Sequence, residues 1–112
     1  MSVVEYVLPL SENARKRHWH KTLSGKVAGF VVQLEVLVGN EWKPVVRYDC
    51  AHGFAHLDLY NLKGYKKKIK IAKGLGEVLT IADEDIKENW VSYRDNFLKG
   101  DYMGIIEEEM KA

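Results

Sequence analysis

Residues 45–59 read VVRYDCAHGFAHLDL, and the fold is decided by how this stretch pairs with itself. If His52-Gly53 makes a two-residue turn, Cys50 meets Ala55, Tyr48 meets Leu57 and Val46 meets Leu59, all apolar pairs on one face. On the other face the same register sets Asp49 against His56 and Arg47 against Asp58, both complementary in charge. Sliding one strand by a single residue destroys every one of these matches, because the side-chain period of a strand is two.

Upstream, VAGFVVQLEVLV (residues 27–38) puts Phe30, Val32, Leu34, Val36 and Val38 on one side of a strand, with Gln33 and Glu35 on the other. A three-residue loop, Gly39-Asn40-Glu41, then places Val38 across from Trp42, Leu34 beside Val46 and Val32 beside Tyr48. Further back, Ser24-Gly25 turns the chain so that Arg17–Leu23 pairs with Lys26–Val32. That register sets Trp19 against Phe30 in the core and turns His18 and His20 outward. Val3–Leu8 is a short apolar segment able to add another strand before Pro9.

Downstream, Leu62-Lys63-Gly64 leads into Tyr65–Ile71, where Ile69 and Ile71 alternate with Lys66, Lys68 and Lys70, as expected of an edge strand with its lysines outward. The period then changes. Asp83 reads as an N-cap with Glu84 and Asp85 in the first turn, and Ile86, Trp90, Tyr93 and Phe97 follow at helical spacing until Gly100. The expectation is an α+β domain spanning 1–112: an antiparallel β-meander of about five strands over residues 3–71, an amphipathic helix over 83–99 packed on one face, and an acidic tail over 101–112.

Composition fits a single folded unit, since 112 residues with 46% hydrophobic and 29% charged side chains lie in the ordinary globular range. Apolar runs are too short for a membrane helix and Glu5 stands where a signal peptide needs a basic start, so a cytoplasmic protein with no membrane partner is expected. One cysteine, Cys50, excludes an internal disulfide and a cysteine-based zinc site within the chain. Charge is unevenly spread. Residues 1–76 carry 13 Lys/Arg and 6 Asp/Glu, residues 77–112 carry 4 and 10, which gives either a basic surface for an anionic partner or two segments that attract each other on folding.

The chemistry-bearing residues gather on the face away from the helix. In the proposed register a row His18, Val31, Asp49, His56, Lys70 crosses the sheet, with His18 and His56 roughly 14 Å apart at the usual strand spacing. That is too far for one metal ion and suited to flanking a polymer. His56 oriented by Asp49 is a candidate proton-transfer pair and Arg47 a phosphate contact, the parts needed for metal-independent RNA cleavage, where the 2′-hydroxyl is the nucleophile. These three are the candidate catalytic residues; His52, Asp58, His18, His20, Lys68 and Lys70 are candidate binding residues, and no cofactor is implied. The bland alternative is that Asp49 with His56 and Arg47 with Asp58 are cross-strand pairs contributing about 0.2–1 kcal/mol each. A metal reading would use His52, His56 and Asp58, reaching to His18 or His20, but His-x3-His in a turn and strand matches no dedicated zinc motif. His52 also suits turn duty, and the lysine run lacks interleaved aromatics beyond Tyr60 and Tyr65.

The stretch from Val45 to Asp58 resembles the core of small uncharacterised bacterial and archaeal proteins with an RYD-x-AHG-x-x-H-x-D pattern, which are distantly similar to the TumE-like toxins of type II toxin-antitoxin systems. The likeness covers about a third of the chain and transfers to Arg47, Asp49, His52, His56 and Asp58. It implies a small meander-plus-helix domain, action on RNA, and an antitoxin-like partner encoded alongside. Two other classes stand beside it: a non-enzymatic interaction module, with a homodimer among its forms, and a small-ligand or metal-binding domain.

Overall fold

The computed structural model describes residues 1–51 and 53–100; the acidic tail and His52 lie outside them. Six strands form one antiparallel sheet in sequence order: β1 (Ser2–Ser11), β2 (Ala14–Leu23), β3 (Lys26–Val38), β4 (Glu41–Asp49), β5 (Ala55–Tyr60) and β6 (Lys66–Ile71). One helix, α1 (Leu75–Lys99), packs on β3, β4 and β5. The expected α+β meander with a C-terminal helix on one face is therefore found, with the Val3–Leu8 segment supplying the sixth strand.

The central ribbon has the expected register: Asp49↔His56, Tyr48↔Leu57, Arg47↔Asp58 and Val46↔Leu59. Its apolar face is wholly buried, with Val46, Tyr48 and Leu57 joined by Phe30, Val32 and Leu34 of β3 and by Val78, Ala82, Ile86, Tyr93 and Phe97 of α1. The β3–β4 connection is shorter than expected. Only Gly39-Asn40 turns the chain, so Val38 faces Glu41 rather than Trp42, and a bulge at Val45 then restores Leu34↔Val46 and Val32↔Tyr48. Pro44 sits beside the bulge, where an interrupted ladder tolerates a residue with no N–H to donate.

The β2–β3 pairing departs further, and the departure inverts a strand. Ser24-Gly25 makes the turn, both residues at positive φ, but Lys21 pairs with Gly29 and Thr22 with Val27, leaving Ala28 as an extra residue. Beyond it the register is shifted by one, giving Trp19↔Val31 and His18↔Val32. The expectation that Trp19 enters the core while His18 and His20 face outward is thus corrected: His18 and His20 lie on the helix side and Trp19 on the opposite, polar side.

The helix begins at Leu75, eight residues before the expected start, with Gly74 in extended conformation as its N-cap and no side-chain cap bond. Val78, Leu79 and Ala82 continue the buried stripe of Ile86, Tyr93 and Phe97. The acidic triplet that reads as a cap lies mid-helix because tertiary partners satisfy it. Asp85 accepts hydrogen bonds from Tyr48, Tyr93 and Asn89, and Asp83 accepts one from Lys16 and lies beside His18. Gly100, at φ 85°, ends the helix with its N–H on the Asn96 and Phe97 carbonyls.

At the far edge β1 is exposed on both faces, with Val3, Val4, Tyr6, Val7 and Leu8 each at least two-fifths open to solvent. No helix among the described residues is long and apolar enough to cross a membrane.

Candidate functional site

Alternation along β2 to β6 assembles a polar layer on the face opposite α1. Arg15 pairs in register with Glu35, Arg17 with Gln33, Gln33 with Arg47, Arg47 with Asp58, and Asp58 with Lys68. The next row runs Trp19, Val31, Asp49, His56, Lys70. Of the residues expected in that row, all but His18 are present, and Trp19 takes its place.

The layer is hydrogen-bonded from end to end of its centre. Glu35 receives Arg15 Nε at 2.6 Å, Arg17 Nε at 3.3 Å and Gln33 Nε2 at 2.7 Å. Arg47 Nη1 donates to Gln33 Oε1 at 3.2 Å and its Nε to Asp49 Oδ2 at 2.7 Å. Arg47 therefore spends its bonds along and across β3–β4, rather than on the facing Asp58. Asp49 Oδ1 contacts His56 Nε2, which makes the expected orienting pair. Burial pushes the Glu35 carboxyl up, but the hydrogen bonds from Arg15, Gln33 and Arg17 outweigh it and hold the group below its ordinary value. Tyr60, at the end of the layer, has its phenol pushed up by burial and then by the Asp58 carboxylate.

Depth separates two tiers. Asp49, His56 and Asp58 are 5%, 2% and 2% exposed, whereas Arg47 remains about a third open and Lys66, Lys68 and Lys70 are exposed. Long side chains roof the inner tier: Lys70 lies 4.6 Å over the Phe54 ring, which packs 6.0 Å from the His56 ring. Beside this roof opens a groove of about 390 Å³, lined by Trp19, Lys21, Gly29, Arg47, Asp49 and Gly53 among others. Gly29 forms part of its floor. A Cβ there would stand 3.2 Å from the Lys21 chain and 3.5 Å from the Trp19 ring, so the missing side chain is what lets both lie flat.

A general base has to reach the proton it removes at about 2.6–3.2 Å. His56 sits beneath the roof, so its imidazole serves the layer's internal bonding, and the open surface of this face consists of Arg17, Trp19, Lys21, Arg47, Lys66, Lys68 and Lys70. Lys68 and Lys70 are on that surface as expected. His18 and His20 are not: His18 Nε2 and His20 Nδ1 are 2.7 Å apart on the helix side, and His18 stacks on Tyr6 at 4.6 Å.

Arg15, Arg17, Trp19 and Trp42 are the face's members that alternation of β3 to β6 alone does not supply. Arg15 stacks 4.0 Å over Trp42. The signal was charge matching, since only the shifted register puts Arg15 and Arg17 opposite Glu35 and Gln33.

A meander of six strands bearing one helix, with a buried polar layer on its open face, is the class of domain these features define. The chain belongs to a family whose description is domain of unknown function (DUF7718), matched over residues 1–102. Neither the curated proteins nor the solved structures contain a match to it.

Proposed function

We propose that the polar face of the sheet binds single-stranded RNA. The observation that carries this is the placement of Trp19 beside Lys21 and Arg47 along one groove, on the face that also bears Lys68 and Lys70. Single-stranded nucleic acids are held by cationic side chains that follow the phosphates and by aromatic faces on which bases stack, and this face combines the two. The basic balance of residues 1–76 supports the same reading. Binding rather than cleavage is proposed, because the roof over His56 keeps the one candidate base away from a 2′-hydroxyl.

Fluorescence anisotropy with a labelled single-stranded RNA tests it. Affinity is expected to fall with salt in proportion to the phosphates neutralised. Trp19→Ala should weaken binding about 5- to 150-fold, the range of one lost base–aromatic stack. No saturable binding at low salt, or binding indifferent to Trp19, Arg47 and Lys70 substitutions, refutes the proposal.

A further inference from the structure

We infer that Asp49, His56 and Asp58 form a binding site for one divalent transition-metal ion, of the zinc or manganese type, set beneath the polar face. Each residue offers one ligand atom, all three residues are buried, and these atoms lie within 4.8 Å of one another. Ligands of a tetrahedral ion with bonds of about 2.1 Å stand about 3.4 Å apart, so the widest pair has to close by roughly an ångström, while His56 Nε2 and Asp49 Oδ1, which touch in the empty site, have to part to admit the ion. Two carboxylate oxygens and one imidazole nitrogen suit zinc and manganese, which take mixed nitrogen and oxygen donors.

A second observation, independent of the clustering, points to a cation. Asp58 Oδ1 is buried and has no hydrogen-bond partner among the described residues, although Asp58 is 2% exposed. Its other oxygen has, among the described residues, Lys66 Nζ at 3.5 Å. An orphaned carboxylate oxygen in a protein interior is costly, and an ion is one of the few things that satisfy it. The neighbours are arranged as supporting contacts. Arg47 Nε holds Asp49 Oδ2 and Lys66 approaches Asp58 Oδ2, which turns both Oδ1 atoms toward the ion, the Asp49 one keeping a long bond from the Ala51 N–H at 3.5 Å. His56 Nε2 already faces Asp49 Oδ1; binding places the metal between them, and His56 coordinates as the neutral ring, with any proton on that nitrogen released to solvent. Asp49 also lines the groove, which gives an entry route past Gly53.

This set differs from the one the sequence suggests. Asp49 joins it, His52 lies outside the described residues, and neither His18 nor His20 shares its face. The inference does not rest on RNA binding, and its test involves no RNA.

The test is calorimetric titration of the EDTA-stripped, desalted full-length chain with zinc chloride and, separately, manganese chloride. One equivalent of at least one metal is expected to bind at micromolar or tighter affinity and to raise the melting temperature. Asp58→Asn keeps the shape and removes the ligand charge, and should weaken binding by at least 100-fold while far-ultraviolet circular dichroism stays native. Asp49→Asn provides a second variant with the same expected loss. If the wild-type protein takes up neither metal, or if Asp58→Asn and Asp49→Asn bind as well as wild type while His20→Ala does not, the site is refuted.

Discussion

The phenol of Tyr48 and the carboxylate of Asp85, 37 residues apart, meet at 2.6 Å across the seam between sheet and helix, and the same Oδ2 also receives Tyr93 Oη at 2.6 Å. One buried anion therefore ties β4 to the middle of α1. Removing it by Asp85→Ala leaves two buried hydroxyls to find new partners, with an expected loss of about 2–6 kcal/mol at about 1–3 kcal/mol each. Tyr93→Phe deletes a single donor to a charged acceptor and should cost about 1.5–3 kcal/mol. Urea denaturation measures both, and an Asp85→Ala cost below that of Tyr93→Phe would contradict the shared-acceptor arrangement.

The same cluster sets an alkaline limit. Burial, then the charge of Asp85, then Tyr48, push the Tyr93 phenol far above its ordinary value. The folded form holds its proton where the unfolded chain releases it, so this stabilisation is complete below the ordinary tyrosine pKa of about 10 and is lost as pH rises beyond it. In a spectrophotometric titration, one tyrosine should ionise only together with unfolding. Tyr93→Phe should reduce the amplitude of that coincident step.

Lys16 adds a second alkaline contribution from another place. Burial pulls its ammonium down, but hydrogen bonding and charge from Asp83, aided by Tyr6, more than offset it, so the net shift is upward. Its contribution is present below the ordinary lysine value of about 10.4 and fades as pH climbs through the raised one. Asp83→Asn should flatten this decline, and at neutral pH should cost about 1–3 kcal/mol by weakening the bond to a buried ammonium. Comparing melts of wild type and variant from neutral to strongly alkaline pH checks both parts.

On the polar face, Glu35 governs the acid side. Its folded pKa lies below the ordinary value, so its stabilisation is present above about pH 4.3 and is lost as pH falls through the lowered folded value. Glu35→Gln should destabilise at neutral pH by about 1.5–3 kcal/mol and show a shallower acid limb. An unchanged acid limb would mean that the Arg15–Glu35–Arg17 bridge contributes nothing to folding.

The ribbon of β4 and β5 was legible because five facing pairs, apolar on one side and charge-matched on the other, all agree on one register. The bulge at Ala28 was not. An inserted residue leaves alternation intact on either side, so period alone cannot reveal it, and placing apolar residues inward favours Trp19 over Lys16 and His18 for the core. Those two are buried because Asp83 and Tyr6 meet them, and such long-range partners are invisible to local pattern. The helix start was missed for a related reason: Asp83-Glu84-Asp85 has the composition of a cap, and only the sheet shows that Asp83 and Asp85 are consumed by tertiary bonds. Of the candidate site, the Asp49–His56 contact and the lysine row were readable. The aromatic component and the depth of the inner tier depend on how neighbouring strands roof one another.

Ala28 also makes the protein's two surfaces interchangeable by length rather than by composition. Restoring an even count in the β2–β3 hairpin would send every side chain from Ala14 to Lys21 through the sheet, trading an indole beside the groove for two imidazoles and withdrawing Lys16 from Asp83. A shortened hairpin in a related chain would therefore mark a different ligand, even where each residue that lines the face is kept.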